Sequence, residues 1–258
     1  MSIIIVGGGK FGLKAIEYVK KNKLSAILID KDPHCQAIQL IEKKYDNFKD
    51  FKEEIKHLTN DTVYYIKDEF TIINDLLLSI DVNYIIPVIP IHLMASIISY
   101  FLLEKSLDLI VDKENTLDFI NNGNPDLILS FKIDQGIVFL SHAKNNESCP
   151  DNCMGPPNYC PHFKREKSIT ITQYLRDYFE IDNYIDINEE NPMKIKIIFE
   201  SYQLKPGLGG LKGIEVKNIF KILNQKLALI MERKSEITIA TTCNCHGVIN
   251  FLKKNKME

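Results

Sequence analysis

The opening of the chain, SIIIVGGGKFGLKAIEYVKK, sets the tightest limit on its fold. A short apolar run, Ile3–Val6, leads straight into a glycine cluster. Lys10–Lys21 then carries apolar side chains at helical spacing through Phe11, Ile16 and Val19. A strand that hands over to a helix within so few residues needs a turn that ordinary side chains obstruct, and Gly7, Gly8, Gly9 and Gly12 supply it. The next buried strand, Ala26–Asp30, closes on an acid. Strand, glycine turn, helix and strand imply a right-handed crossover, so a mostly parallel sheet is expected.

The alternation continues. A helix is expected from Pro33 to Lys44, with proline near its start. Asn47–Asp61 is charged and reads as an exposed helix or loop. Tyr64–Ile66, a helix near Ile72–Ser79, and strands at Tyr84–Val88 and Leu107–Val111 follow. The run Tyr84–Leu103 holds no Asp, Glu, Lys or Arg, and its length alone suits a membrane span. Pro87 and Pro90 break it into a buried strand, a turn and a core helix, the reading preferred here. After Asp112 the pattern changes, so domains are expected at 1–112 and 113–258. Asp126–Lys132 and Ile137–His142 read as an antiparallel hairpin. A cysteine-rich loop, a helix at Thr172–Phe179 and a strand at Lys194–Glu200 come next. A glycine-rich turn, a helix at Ile214–Glu232, a strand at Glu236–Thr241 and a last helix from about His246 complete the series.

Gly7-Gly8-Gly9-Lys10-Phe11-Gly12 satisfies G-x-G-x-x-G, and its context is that of a dinucleotide site: it follows a strand, opens a helix, and Asp30 ends the next strand. The first glycine allows the tight turn, the second lets backbone approach a pyrophosphate, and the third lets helix lie close on strand. Asp30 would accept hydrogen bonds from ribose hydroxyls and repel a 2′-phosphate, which favours NAD over NADP, while Lys31 beside it leaves NADP possible. On these residues the stretch 1–110 resembles the NAD(P)-binding Rossmann superfamily, in particular the small modules of siroheme synthases and potassium-uptake regulators. The resemblance implies a doubly wound parallel sheet with nucleotide at the carboxyl ends of its strands. The turn at Val88 and Pro90 would form a further wall. FAD, another adenine nucleotide, or a glycine turn with no ligand are the alternatives, and nothing after residue 112 shares the resemblance.

A second glycine cluster, PGLGGLKG at Pro206–Gly213, is read between a strand and a helix. Its amides, with Lys205 and Lys212, would suit a substrate carboxylate or phosphate; a tightly wound connection is the equal alternative. Lys212 is followed by Gly213, so this is not a Walker A loop.

Cys149, Cys153 and Cys160 fall in CPDNCMGPPNYCPH, spaced C-x3-C-x6-C. A short loop gathers three soft donors at small entropic cost, and its prolines pre-bend it. A fourth donor is available in CNCH, where Cys243 and Cys245 precede the expected last helix, whose amino terminus would stabilise thiolate. His162 or His246 could replace one sulfur in a zinc site. Four thiolates would also suit an iron–sulfur cluster of the 4Fe-4S type, and cluster is favoured over zinc. Disulfides are the alternative, disfavoured in a chain with no secretion signal, which is expected in the cytoplasm. His142 and His162 are expected to border the metal. Cys35 reads as a small side chain near the nucleotide.

The net charge of −2, with lysines interleaved among acids, argues against nucleic acid as the main partner. The expectation is therefore an α/β protein whose Rossmann-like part precedes a second α/β region carrying a hairpin and a cysteine-rich metal loop. Its function would be that of an NAD(P)-dependent oxidoreductase acting on a small molecule, with an anionic substrate and a homo-oligomer as open options, and without membrane attachment. A nucleotide- and metal-sensing binding protein is the alternative.

Overall fold

A computed structural model describes residues 2–255. The chain begins with β1 (Ser2–Val6), α1 (Lys10–Lys21), β2 (Ser25–Ile29), β3 (Lys43–Tyr45), α2 (Phe48–Glu54) and β4 (Val63–Ile66). It continues through α3 (Ile73–Ser79), β5 (Val82–Pro87), α4 (Leu93–Leu103), β6 (Leu109–Val111), α5 (Lys113–Asn122), β7 (Ile128–Lys132) and β8 (Ile137–Ser141). β9 (Tyr159–Cys160), β10 (Arg165–Glu166), α6 (Ile171–Phe179), β11 (Ile185–Asn188) and β12 (Met193–Lys205) follow. β13 (Leu208–Lys212), α7 (Gly213–Glu232), β14 (Ser235–Thr242) and β15 (His246–Lys254) complete it. The protein is thus mixed α/β, with seven α-helices among the described residues.

The chain divides into two compact units. One comprises Met1–Leu93 with Tyr202–Asn218, the other Met94–Ser201 with Ile219–Glu258. The division expected at residue 112 thus falls inside the second unit.

In the first unit β3, β4, β2, β1 and β5 lie side by side and parallel, and β13 joins β5 antiparallel. All five residues of β2 and the last four of β1 are buried, which explains the unbroken apolar runs Ala26–Ile29 and Ile3–Val6: strands covered on both faces have no polar side to show. Helix α1 lays Gly12, Ala15, Ile16 and Val19 against the sheet, one face at helical spacing. The helix expected at 33–44 is instead a 3-10 turn, Gln36–Leu40, followed by β3. Asp side chains keep this segment turned: Asp32 N donates to Asp30 Oδ1 at 2.8 Å and His34 N to Asp32 Oδ1 at 2.9 Å. Ala37 N then ties it to Gly8 O at 2.9 Å. The second glycine cluster is a strand hairpin rather than a strand–helix loop, with Gly207 at φ +73° in its turn. Its lysines bind locally, Lys205 Nζ to Lys14 O at 2.8 Å and Lys212 Nζ to Glu215 Oε1 at 3.2 Å.

The second unit is built on β12, β14, β15, β8 and β7, with β11 beside β12 and β6 beside β15. β12 and β14 run parallel, and the other pairs are antiparallel. Its core holds Phe119, Leu175, Phe179, Ile198, Ile249 and Phe251. The hairpin β7–β8 forms as expected, turning at Gly136, φ +64°. The expected last helix is the strand β15. Val248, Ile249 and Phe251 suit a pleated surface, and both edges of the strand are hydrogen-bonded, to β14 on one side and to β8 and β6 on the other. The run 84–103 splits as expected into β5 and α4, and no described helix is long and apolar enough to cross a membrane.

Candidate functional site

In the first unit the glycines have separable steric reasons. Gly7 sits at φ +108°, and a Cβ there would lie 2.7 Å from Ile89 Cγ2 and 2.8 Å from Val88 O. A Cβ on Gly12 would come within 2.1 Å of Gly7 O, so α1 can approach β1 this closely only because Gly12 has none. A Cβ on Gly8 would meet Cys35 Sγ at 2.3 Å. Gly9 differs: nothing lies within 4 Å of its Cβ position, at the amino terminus of α1.

Asp30 is oriented by two amides, Gly8 N at 2.5 Å on Oδ2 and Asp32 N at 2.8 Å on Oδ1. Beside it opens a cleft of about 290 Å³ at the carboxyl ends of β1, β2, β4 and β5, lined by Gly7, Asp30, Lys31, Asp68, Glu69 and Pro90 among others. That volume lies at the lower edge of the range for small-molecule sites. Of the ten residues expected to hold a nucleotide, Gly7, Asp30, Lys31 and Pro90 line the cleft directly. Val88 lies under Gly12 instead, its Cγ2 3.9 Å from the Cβ position. Lys10 Nζ sits 5.5 Å from the Phe11 ring centre, and Lys14 Nζ 5.1 Å from it. Asp68 and Glu69 escaped the sequence reading. The available signal was that Asp68 follows β4 closely, as Asp30 follows β2. Its oxygens accept from Phe48 N at 3.1 Å and Glu69 N at 2.8 Å.

In the second unit β9 and β10 form a two-stranded ribbon pairing Cys160 with Arg165, and the Cys149–Cys160 loop runs into it. None of the six cysteines is joined in a disulfide. Among the described residues no three His, Cys, Asp or Glu side chains already converge on a point that would hold an ion. Five of the sulfurs nevertheless share a neighbourhood. Burial pushes the Cys149 thiol pKa up, and Cys153, Cys160, Cys245 and Cys243 raise it further by charge repulsion. His246 reaches towards two of them, Nε2 at 3.5 Å from Cys149 Sγ and Nδ1 at 3.9 Å from Cys243 Sγ.

Several donors point at sulfur. Gly155 N lies 3.3 Å from Cys153 Sγ and Phe163 N 3.5 Å from Cys160 Sγ, each amide just after its own cysteine. Lys167 Nζ lies 3.0 Å from Cys245 Sγ. The CNCH segment is the β14–β15 turn, closed by Cys243 N on His246 O at 2.8 Å, so the helix expected to start at His246 is replaced by a strand; the first amide of α6, Ile171 N, lies 3.4 Å from Asn244 O in that turn. Asn244 Nδ2 ties that turn to Gly155 O at 2.9 Å, and His142 N to Cys245 O at 3.0 Å. His142 Nε2 is bonded to Ile169 O at 2.8 Å, and burial lowers its pKa, which favours a neutral ring. His162 is exposed and stands edge-on to Phe163, apart from the other donors' hydrogen bonds.

A relative from Archaeoglobus fulgidus, described as an "Uncharacterized protein", is 28% identical over 252 residues, covering 97% of this chain and 99% of its own. No solved structure matches the chain. Residues 1–93 match the amino-terminal and residues 99–255 the carboxy-terminal domain model of AF_1314, each described as a domain of an "Uncharacterized protein", and the join between them falls where the first compact unit breaks off at Leu93. The chain belongs to the AF_1314 family.

Proposed function

We propose that this protein is an NAD(P)-dependent oxidoreductase: a Rossmann-like unit takes the dinucleotide, and the second unit carries a cysteine-ligated metal centre, iron–sulfur or zinc. The observation that carries the reading is Gly9. It is the one glycine of its cluster with open space over its Cβ position, at the amino terminus of a helix whose partial positive charge suits a pyrophosphate. Asp30, fixed by two amides, keeps lone pairs for ribose hydroxyls. The nicotinamide would supply hydride transfer.

A hydride carries two electrons together, whereas an iron–sulfur cluster takes one at a time. Cys149, Cys153, Cys160 and either Cys243 or Cys245 would hold the metal, which would fix the second unit's loop or polarise a substrate oxygen rather than receive the hydride directly. The donor set fits such a group: five cysteine sulfurs near one another, with two amides directed at Cys153 and Cys160.

A second reading, a nucleotide- and metal-responsive binding protein without turnover, is favoured by one observation. The titratable residues lining the cleft are Asp30, Lys31, Asp68 and Glu69, with no histidine, cysteine or tyrosine among the described lining to pass a proton.

Calorimetric titration with NAD and NADP tests the nucleotide site. Gly9→Asp has room to fold and places a carboxylate where the pyrophosphate would lie, so it should abolish binding while the melting temperature holds. Equal affinity in wild type and Gly9→Asp would contradict the site. Oxidation of NADH by candidate carbonyl compounds separates enzyme from binding protein.

A further inference from the structure

Lys167 stands out in the second unit because it is only 5% exposed. Lysine is almost never buried without a partner, since its ammonium loses its hydration. Its surroundings are fixed by the ribbon: Lys167 directly follows β10, and its backbone N donates to Asn158 O at 2.9 Å. The ammonium donates to Pro156 O and, at 3.0 Å, to Cys245 Sγ. Among the described residues it forms no ion pair with a carboxylate. Among the described residues, the Cys245 sulfur is thus the side-chain acceptor that this ammonium has.

Cys243 lies within range of the same charge but makes no hydrogen bond to it: its sulfur meets the His246 ring, 3.9 Å from Nδ1. Cys245 is also the sulfur next to the cysteine loop, 3.8 Å from the Cβ position of Gly155. A metal ion held by several thiolates keeps an excess of negative charge, which a buried ammonium in its outer shell offsets.

We propose that Lys167 is a positioning residue of the cysteine centre: its ammonium, fixed on Pro156 O, holds the Cys245 sulfur beside the cysteine loop, making Cys245 rather than Cys243 the fourth protein donor with Cys149, Cys153 and Cys160. The proposal rests on the metal reading above and adds to it a named fourth donor and an outer-shell charge.

The test uses the full chain, purified anaerobically as wild type, Lys167→Met, Lys167→Arg, Cys245→Ser and Cys243→Ser. Bound iron and zinc are measured by elemental analysis, folding by thermal melting, and metal release by the rate of transfer to a competing chelator. Wild type and Cys243→Ser should carry metal and Cys245→Ser should lose it. Lys167→Met should release it about 10–100-fold faster, the usual cost of losing an outer-shell partner. Lys167→Arg keeps the charge but moves the donor, so it should retain metal with a shifted thiolate-to-metal charge-transfer band. That variant carries the test if Lys167→Met does not fold. Metal-loaded Lys167→Met releasing at the wild-type rate, an unshifted band in Lys167→Arg, or loss of metal in Cys243→Ser with retention in Cys245→Ser would each overturn the assignment while leaving the metal reading standing. Wild type without metal would overturn that reading and this one together.

Discussion

The two units build their candidate sites from different material. In the first, the site is backbone: a glycine turn, the amino terminus of α1, and an acid held by the amides of Gly8 and Asp32. Its shape follows from packing the helix onto the sheet, so it is complete before any ligand arrives. In the second, the site is made of side chains on a loop and a turn, where sulfurs lie near one another without yet meeting at a point. Backbone sites are secured by the fold, and side-chain sites of soft donors are finished by what they bind. The stability of the first should therefore respond to sterics, and the closure of the second to charge and metal.

The largest expected effect tests whether the second unit depends on its core rather than on its loop. Phe119 is 1% exposed, with ring centres 4.8 Å from Tyr178, 5.5 Å from Phe251 and 5.8 Å from Phe179. Phe119→Ala should cost about 3–5 kcal/mol in urea unfolding. A loss below about 1 kcal/mol would mean that the cysteine loop and what it binds, not this cluster, carry the unit.

Next comes the steric character of the first site. Gly12→Ala drives a Cβ against Gly7 O and should destabilise by about 1–3 kcal/mol with loss of nucleotide binding. Wild-type stability in this variant would show that α1 does not lie as close to β1 as described.

The smallest effect concerns Cys35, the one cysteine of the first unit. Burial raises its thiol pKa, and the charge of Asp30 raises it further. The folded chain therefore resists ionisation where the unfolded chain does not. Cys35 contributes no penalty at neutral pH and lowers stability as pH rises past the ordinary thiol range. Iodoacetamide followed by peptide mass mapping should label Cys35 slowly at pH 7, faster in alkali, and slower throughout than a cysteine in the unfolded chain. Rapid labelling at neutral pH would refute the buried placement.

Much of the first unit was legible because local pattern and tertiary role agree there. Ile3–Val6 and Ala26–Ile29 are apolar throughout, and the strands they form are buried on both faces. The segment 33–44 misled because its apolar residues mimic helical spacing, whereas the Asp30 and Asp32 side chains and the bond from Ala37 to Gly8 hold it otherwise. The last segment misled for a related reason: HGVINFLKK is short and mixed, and only its place between β14 and β8 decides for strand. Hence CNCH, which reads as a helix start, is a strand turn. Lys167 could not be seen from sequence at all, since nothing local distinguishes a buried lysine from its exposed neighbours.

Whether one site is finished by the fold and the other by a metal is decided by elemental analysis of the anaerobically purified wild-type chain. The expected result is either about one zinc per chain or, for a cluster, about four irons with matching sulfide, with Cys149, Cys153, Cys160 and Cys245 protected from alkylation. A folded, nucleotide-binding chain with no bound metal and all of these thiols freely alkylated would contradict it.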